Sequence, residues 1–307
     1  MTQAATSAAV FKSKAREALS DPALQQAMDR AKGGFVGARR IAVEDLAEFD
    51  SLRDTARDIK DHVLNHLDLY LERYERKTIE NGGHVHWAQT AEEACQIVKK
   101  ICLDTDARLV AKGKSMVSEE MGLNRVLEEA GIEVAETDLG EYIIQLAGES
   151  PSHIIAPAIH KTREQITELF YENHKSHGFS ERVTRREAIV NEARAVLRSV
   201  FARADVGITG ANFLIAESGA NVIVTNEGNG DLSSTLPRVQ IITAGIEKVI
   251  PSLDDLSTFL RILGRSATGQ EMSAYTTLYS GPRREGEVEC PTEYHVVLLD
   301  NGRSAML

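Results

Sequence analysis

Residues 108–138 read "RLVAKGKSMVSEEMGLNRVLEEAGIEVAETD". A short β-prone run, RLVA, opens into a polar turn; an amphipathic stretch follows; a second β-prone run, IEVA, ends on acids. Strand, helix and strand in this order make a βαβ unit, the building block of a parallel sheet. The same alternation begins at "HVHWAQT" (84–90) and continues through "SHIIAPAI" (152–159), "DVGITGA" (205–211), "NVIVTNE" (221–227) and "VQIITAGI" (239–246). Beyond a helix near 253–265, residues 274–303 read as two strands joined by a polar loop. The pattern predicts an α/β fold: a largely parallel sheet flanked by helices.

Residues 11–82 have a different period. Leu46, Phe49, Leu52, Ile59, Val63, Leu67 and Leu71 recur at steps of three, four or seven until "NGG" at 81–83 stops them, which predicts a long amphipathic helical arm. The expected division is a helical arm over 1–82 and an α/β domain over 83–303.

Composition limits the function. The chain has 307 residues, 42% hydrophobic and 26% charged, with a formal net charge of −11. That balance disfavours a general nucleic-acid or membrane-surface binder, which needs basic patches to meet phosphate. No stretch reaches the ~18 apolar residues of a membrane span, and the N-terminus lacks a basic start followed by an apolar run, so the cytoplasm is the default compartment. The three cysteines, Cys95, Cys102 and Cys290, have no CxxC spacing and support neither a disulfide framework nor a metal site. Cys95 and Cys102, seven apart, fall on one helical face, where a thiol behaves as a small hydrophobe.

Ligands of open α/β sheets lie beyond the carboxyl ends of the strands, so polar residues there are the candidates. After the first run of the quoted segment come Lys112, Lys114 and Ser115, with Ser118 suited to cap the next helix, Glu119 in its first turn, and a helix N-terminus where an anion can dock. After the second come Asp138 and Glu141, with Gln145 one turn further. "APAIHK" offers His160 and Lys161, and "TGANFLIAESGANVIVTNEGNG" (209–230) offers Asn212, Glu217, Asn226, Glu227 and Asn229. With all strands parallel, these side chains fall on one rim. Each also has a plain reading: Asp138 is an equally good helix N-cap, a lone lysine such as Lys112 is usually solvated, and His153 usually satisfies a local hydrogen bond. The two histidines of "HVH" (84–86) are expected to alternate faces.

"KGKSMVSEEMGLN", "ETDLGEYIIQL", "PSHIIAPAIHK", "ADVGITGANFLIAESG", "VTNEGNG" and "PRVQIITAGIEKVIP", in this order, resemble the lactate-utilisation domain family, and within it the B components of bacterial L-lactate oxidation systems. The resemblance runs from about residue 30 to residue 303. It implies the fold of ribose-5-phosphate isomerase and CoA transferases, a role in oxidising lactate to pyruvate with electron transfer, the A and C components as partners, and a small anionic substrate. From their strand-end positions Glu217, Glu227 and Asp138 are the candidate catalytic acids and Lys112, Lys114, Ser115, Glu141, His160, Asn212, Asn226 and Asn229 the candidate substrate contacts; the resemblance implies only that the tips at 217–219 and 226–228 line one pocket, and Glu217 is open to reading as base, nucleophile or loop anchor. B components continue into a ferredoxin-like segment with two CxxCxxCxxxCP motifs. This chain stops at "NGRSAML" without one, so no cofactor is expected in residues 1–307 and two [4Fe-4S] clusters are expected on an extension beyond them. The competing expectation is a stand-alone transferase or isomerase acting on a CoA ester or a sugar phosphate.

Overall fold

A computed structural model describes residues 8–288 and 291–306. The helical arm is five helices: α1 (Ala8–Ser20), α2 (Pro22–Ala31), α3 (Gly37–Glu44), α4 (Phe49–Leu64) and α5 (Leu67–Glu80), with a π-helical stretch at Lys32–Val36 between α2 and α3. The break after α4 comes at Asn65, whose side chain donates to the Asp61 carbonyl at 2.8 Å. A side chain that competes for helix carbonyls favours a stop there. The apolar positions Val63, Leu71 and Tyr74 are buried in a core shared with the sheets.

From β1 (His84–Ala88) the chain alternates through α6 (Ala91–Asp104), β2 (Leu109–Lys112), α7 (Met116–Met121), α8 (Leu123–Glu129), β3 (Glu133–Glu136), α9 (Leu139–Ala147), α10 (Arg163–Asn173), α11 (Arg186–Arg203) and β4 (Val206–Gly210). It continues through β5 (Phe213–Ile215), β6 (Ala220–Thr225), α12 (Asn229–Thr235), β7 (Val239–Gly245), β8 (Val249–Ile250), α13 (Leu253–Ala267), β9 (Tyr275–Tyr279) and β10 (Glu293–Leu299). Six strands form a wholly parallel sheet in the order β1-β10-β7-β4-β2-β3. As buried parallel strands must be, β2 and β7 are covered on both faces. On one face Val110, Ile208, Ile241 and Val297 pack against α6, α7 and α8. On the other, Leu109, Ala111 and Ala135 meet α9, α10 and α11, while Ile242, Val296 and Leu298 meet α4, α5 and a second sheet.

The largely parallel sheet is as expected; what is corrected is only which segments it contains, by a second sheet, β8-β5-β6-β9. "NVIVTNE" and "AYTTLY" belong to it and pair antiparallel, as β6 with β5 and β9 with β6. The β5–β6 turn closes on Gly219, with φ +71°, where a Cβ would lie 2.5 Å from the Thr78 amide nitrogen. A second correction concerns "SHIIAPAI": it is a loop, not a strand. His153 Nδ1 accepts from the amides of Ile155 and Ala156, both at 3.1 Å, and turns the chain locally.

Candidate functional site

Strand order reverses at β2: β3 lies on one side of it and β4, next in the chain after α9–α11, on the other. A crevice for ligand is expected outside the carboxyl ends of β2 and β4. Gly113, just past β2, fits there because a Cβ would come 3.3 Å from Thr209 Cγ2 and 3.9 Å from Gly230 Cα, drawing the β2 loop, β4 and the start of α12 together.

Lys112 ends β2, and the parallel register sets it opposite Glu136, the last residue of β3. Its ammonium is fully buried, 2.7 Å from Glu136 Oε1, 3.3 Å from Glu119 Oε1 and 4.0 Å from Glu141 Oε2. Asn124 Nδ2 also donates to Glu136 Oε1, at 2.6 Å. Burial opposes the charge on Lys112, but Glu136, Glu141 and Glu119 outweigh it and hold the lysine protonated. Three carboxyl groups around one ammonium leave an excess of negative charge, and Glu141 absorbs it: burial first, with Glu136 adding and Lys112 opposing, pushes its carboxyl up to about 8. Glu141 is therefore largely a neutral acid at pH 7. Glu136 Oε2 and Glu141 Oε2 are both buried without a donor, and a proton on Glu141 supplies the missing one. Glu119, Glu136 and Glu141 offer oxygens within 4.8 Å of one another, but the lysine ammonium already supplies the cation in their midst.

Beside this cluster lies a hydroxyl patch. Ser115 caps α7, accepting from the Ser118 amide at 3.2 Å, a correction to the expectation that Ser118 is the cap. The Ser115 and Ser118 hydroxyls lie 3.1 and 3.0 Å from Thr243 Oγ1, at the end of β7. Thr209 Oγ1, at the end of β4, is buried without a partner. Asp138 caps α9 through the amides of Gly140 and Glu141, at 2.9 and 3.2 Å. Glu227 reaches the same helix start: partial burial and the Asp138 carboxylate raise its pKa, against the Leu139 amide and Lys114. Lys114 donates to the Ile155 carbonyl at 2.8 Å. Asn229 opens α12 close by.

Lys112, Lys114, Ser115, Asp138, Glu141, Glu227 and Asn229 thus share the rim. The other candidates do not. Glu217 lies at the far end of β6 from Glu227, on the order of 20 Å away at ~3.3 Å per residue, and its Oε1 accepts from the Leu253 amide at 2.7 Å, at the N-terminus of α13. The two acids stand at opposite ends because β6 runs antiparallel in the second sheet. Asn212 Oδ1 accepts from the Val224 amide at 2.8 Å and pins β6, while Asn226 holds the 270–274 loop through Gln270 and the Ala274 amide. His160 lies past the C-terminus of α9, 2.8 Å from Glu149 Oε2 and 2.6 Å from Ser152 Oγ, with Lys161 on the same glutamate. Gln145 braces β3 through the Glu136 amide and the Val134 carbonyl.

Sequence reasoning missed Glu136 as a partner of Lys112. The signal was present: two neighbouring buried strands each ending on a charge, with opposite signs. The plain alternative for Lys112, a solvated lysine, fails because the residue is fully buried, and sequence reasoning placed His84 and His86 on opposite faces, whereas residues two apart in a strand share a face.

The chain matches the LUD domain model over residues 71–299. It is 43% identical over 300 residues to lactate utilization protein B of Bacillus velezensis, covering 97% of this chain and 62% of that protein. It is 42% identical to lactate utilization protein B of Bacillus subtilis, covering 97% and 61%, and 42% identical to the uncharacterized electron transport protein YkgF of Escherichia coli K12, covering 98% and 63%. The chain thus spans about three-fifths of the length of these relatives. Among solved structures, a DUF162 family protein from Deinococcus radiodurans aligns with a TM-score of 0.42 and 11% identity, over 76% of this chain and 98% of that one. On the match over residues 71–299, which takes in both sheets and the whole rim, the chain belongs to the LUD domain family.

Proposed function

We propose that the chain is the lactate-utilisation domain of a B-type component that takes part in oxidising L-lactate to pyruvate, with the rim around Lys112, Glu136 and Glu141 as its working site. What supports this above all is identity of 42–43% along 97–98% of the chain to proteins named for lactate utilization or electron transport. The same names disfavour a stand-alone transferase or isomerase acting on a CoA ester or sugar phosphate.

Oxidation of lactate to pyruvate removes two electrons and two protons, one from the hydroxyl and one from the carbon. A site for it needs a group that exchanges a proton in a dry setting and donors for the carboxylate. Glu141, buried and neutral beside Glu136, suits the first need. Lys114 and the hydroxyls of Ser115 and Thr209 suit the second, a small anion at a helix start.

The electrons require acceptors, and the resemblance implies [4Fe-4S] clusters and partner A and C components. Cluster iron is bound by thiolates, commonly four. Among the described residues, Cys95 and Cys102 lie in the apolar core, where burial raises both thiols, Cys102 to about 12. Cys290 lies outside the described residues. With three cysteines in all, these residues do not fit a cluster, and the proposal assigns the clusters to other parts of the assembly. Among the described residues no helix is long and apolar enough to cross a membrane. Deleting the gene and supplying it again should abolish and restore growth on L-lactate; growth indifferent to the deletion overturns the proposal.

A further inference from the structure

Three histidines gather at the amino ends of β1 and β10, away from the rim. His84 and His86 project from one face of edge strand β1, and the register sets His295 of β10 opposite His84. The His84 and His295 rings lie 5.0 Å apart and the His86 and His295 rings 5.3 Å. His86 Nε2 faces His295 Nδ1 at 3.1 Å.

Two imidazole nitrogens at this separation can share one N–H, or they can share an ion. Around a tetrahedral ion with bonds of ~2.0–2.1 Å, two nitrogens sit about 3.4 Å apart with their lone pairs converging, so an opening of a few tenths of an ångström together with a turn of both rings converts one arrangement into the other. In the 3.1 Å contact between His86 Nε2 and His295 Nδ1 at most one of the two facing nitrogens carries a hydrogen, so the other keeps a lone pair turned into the contact. The second nitrogen of His295, Nε2, is buried without a hydrogen-bond partner, and the Glu293 carboxylate lies 3.6 Å from it. A carboxylate that accepts from the far nitrogen of an imidazole orients ligating histidines in metal sites, and a closure of about half an ångström brings Glu293 into that bond. His84 is exposed, which gives an ion a way in.

We infer that His84, His86 and His295 form a binding site for a divalent transition-metal ion of the zinc type, with His86 Nε2 and His295 Nδ1 as the fixed ligands, His84 closing from solvent, and Glu293 orienting His295. Imidazole ligands select zinc, copper or nickel over magnesium or calcium, which prefer oxygen. None of the rim residues takes part, so the site is separate from the proposed lactate chemistry.

The test is calorimetric titration of the 307-residue chain with zinc chloride alone at pH 7.5, with thermal melting as a second readout. The expected result is one ion per chain and a raised Tm, with affinity at least tenfold weaker in both His84→Ala and His86→Ala. These positions carry the test because His295 is buried and its removal can unfold the strand pair. His62 and His66, whose rings are 4.9 Å apart at the end of α4, are the competing pair, and His62→Ala should bind as the unsubstituted chain does. Absence of binding, equal binding by His86→Ala, or loss of binding in His62→Ala overturns the inference and leaves the histidines as a stitch between β1 and β10.

Discussion

Lys112→Met removes the ammonium that lies 2.7, 3.3 and 4.0 Å from Glu136, Glu119 and Glu141 and keeps most of the buried stem volume. Deleting one partner of a buried ion pair costs about 3–5 kcal/mol, because the other charge stays buried without compensation. At ~2–4 °C per kcal/mol for a domain of this size, Tm should fall by roughly 6–20 °C. The loss should also depend on pH in a definite direction. Glu141, held at about 8 when folded against ~4.3 unfolded, contributes stability that is fully present below the unfolded value and is lost as pH rises through the folded one. Lys112 opposes that upward shift, so removing it raises the folded value further and deepens the loss at the alkaline side. The deficit of the variant should therefore be largest near pH 8 and smallest near pH 5. Urea denaturation followed by far-ultraviolet circular dichroism at both pH values measures it. A deficit under about 1 kcal/mol, the scale of a solvated surface pair, or one equal at the two pH values, refutes the reasoning.

Three further outcomes are expected. Glu217→Ala should cost about 1 kcal/mol, the worth of a helix cap, and leave growth on lactate unchanged; a growth defect with normal melting would return Glu217 to the candidate catalytic acids. Glu227→Gln removes one of two facing carboxylates at the start of α9 and should leave Tm unchanged or slightly higher while impairing growth on lactate; a marked fall in Tm would make that carboxylate structural. The depressed values of His295 and His86 mean that their stability contribution is present above the unfolded value of ~6.5 and lost as pH falls toward 4. The fall in Tm from pH 7 to pH 4.5 should thus be smaller in His86→Gln than in the unsubstituted chain, and an equal fall would contradict the burial argument.

The parallel sheet was legible because β2, β3, β4 and β7 are short apolar runs set between helices or turns, and the helix at 253–267 was legible from its period. The second sheet was not. "NVIVTNE" has the same local pattern as a parallel strand, and only its neighbours, β5 and β9, make it antiparallel. That one misreading moved Glu217 onto the wrong rim. "SHIIAPAI" is rich in β-branched residues, yet Pro157 packs on Gly140 and His153 turns the chain, so tertiary contact overrides propensity. Lys112, Asp138, Glu141 and Glu227 could be found from strand-end position alone. Glu136 could not, since pairing it with Lys112 requires the register. The histidine cluster needed only the two-residue period of β1 and the knowledge that β10 lies beside it.

The most direct measurement is lactate-dependent dye reduction by the protein assayed together with the proposed A and C components, comparing Glu141→Gln with the unsubstituted form. Glutamine matches the neutral acid in shape and donor capacity but cannot exchange a carboxyl proton. If the Lys112, Glu136 and Glu141 cluster moves a proton during lactate oxidation, the rate should fall at least tenfold with Tm unchanged. A rate unchanged in the folded variant would contradict the assignment of the rim as the working site.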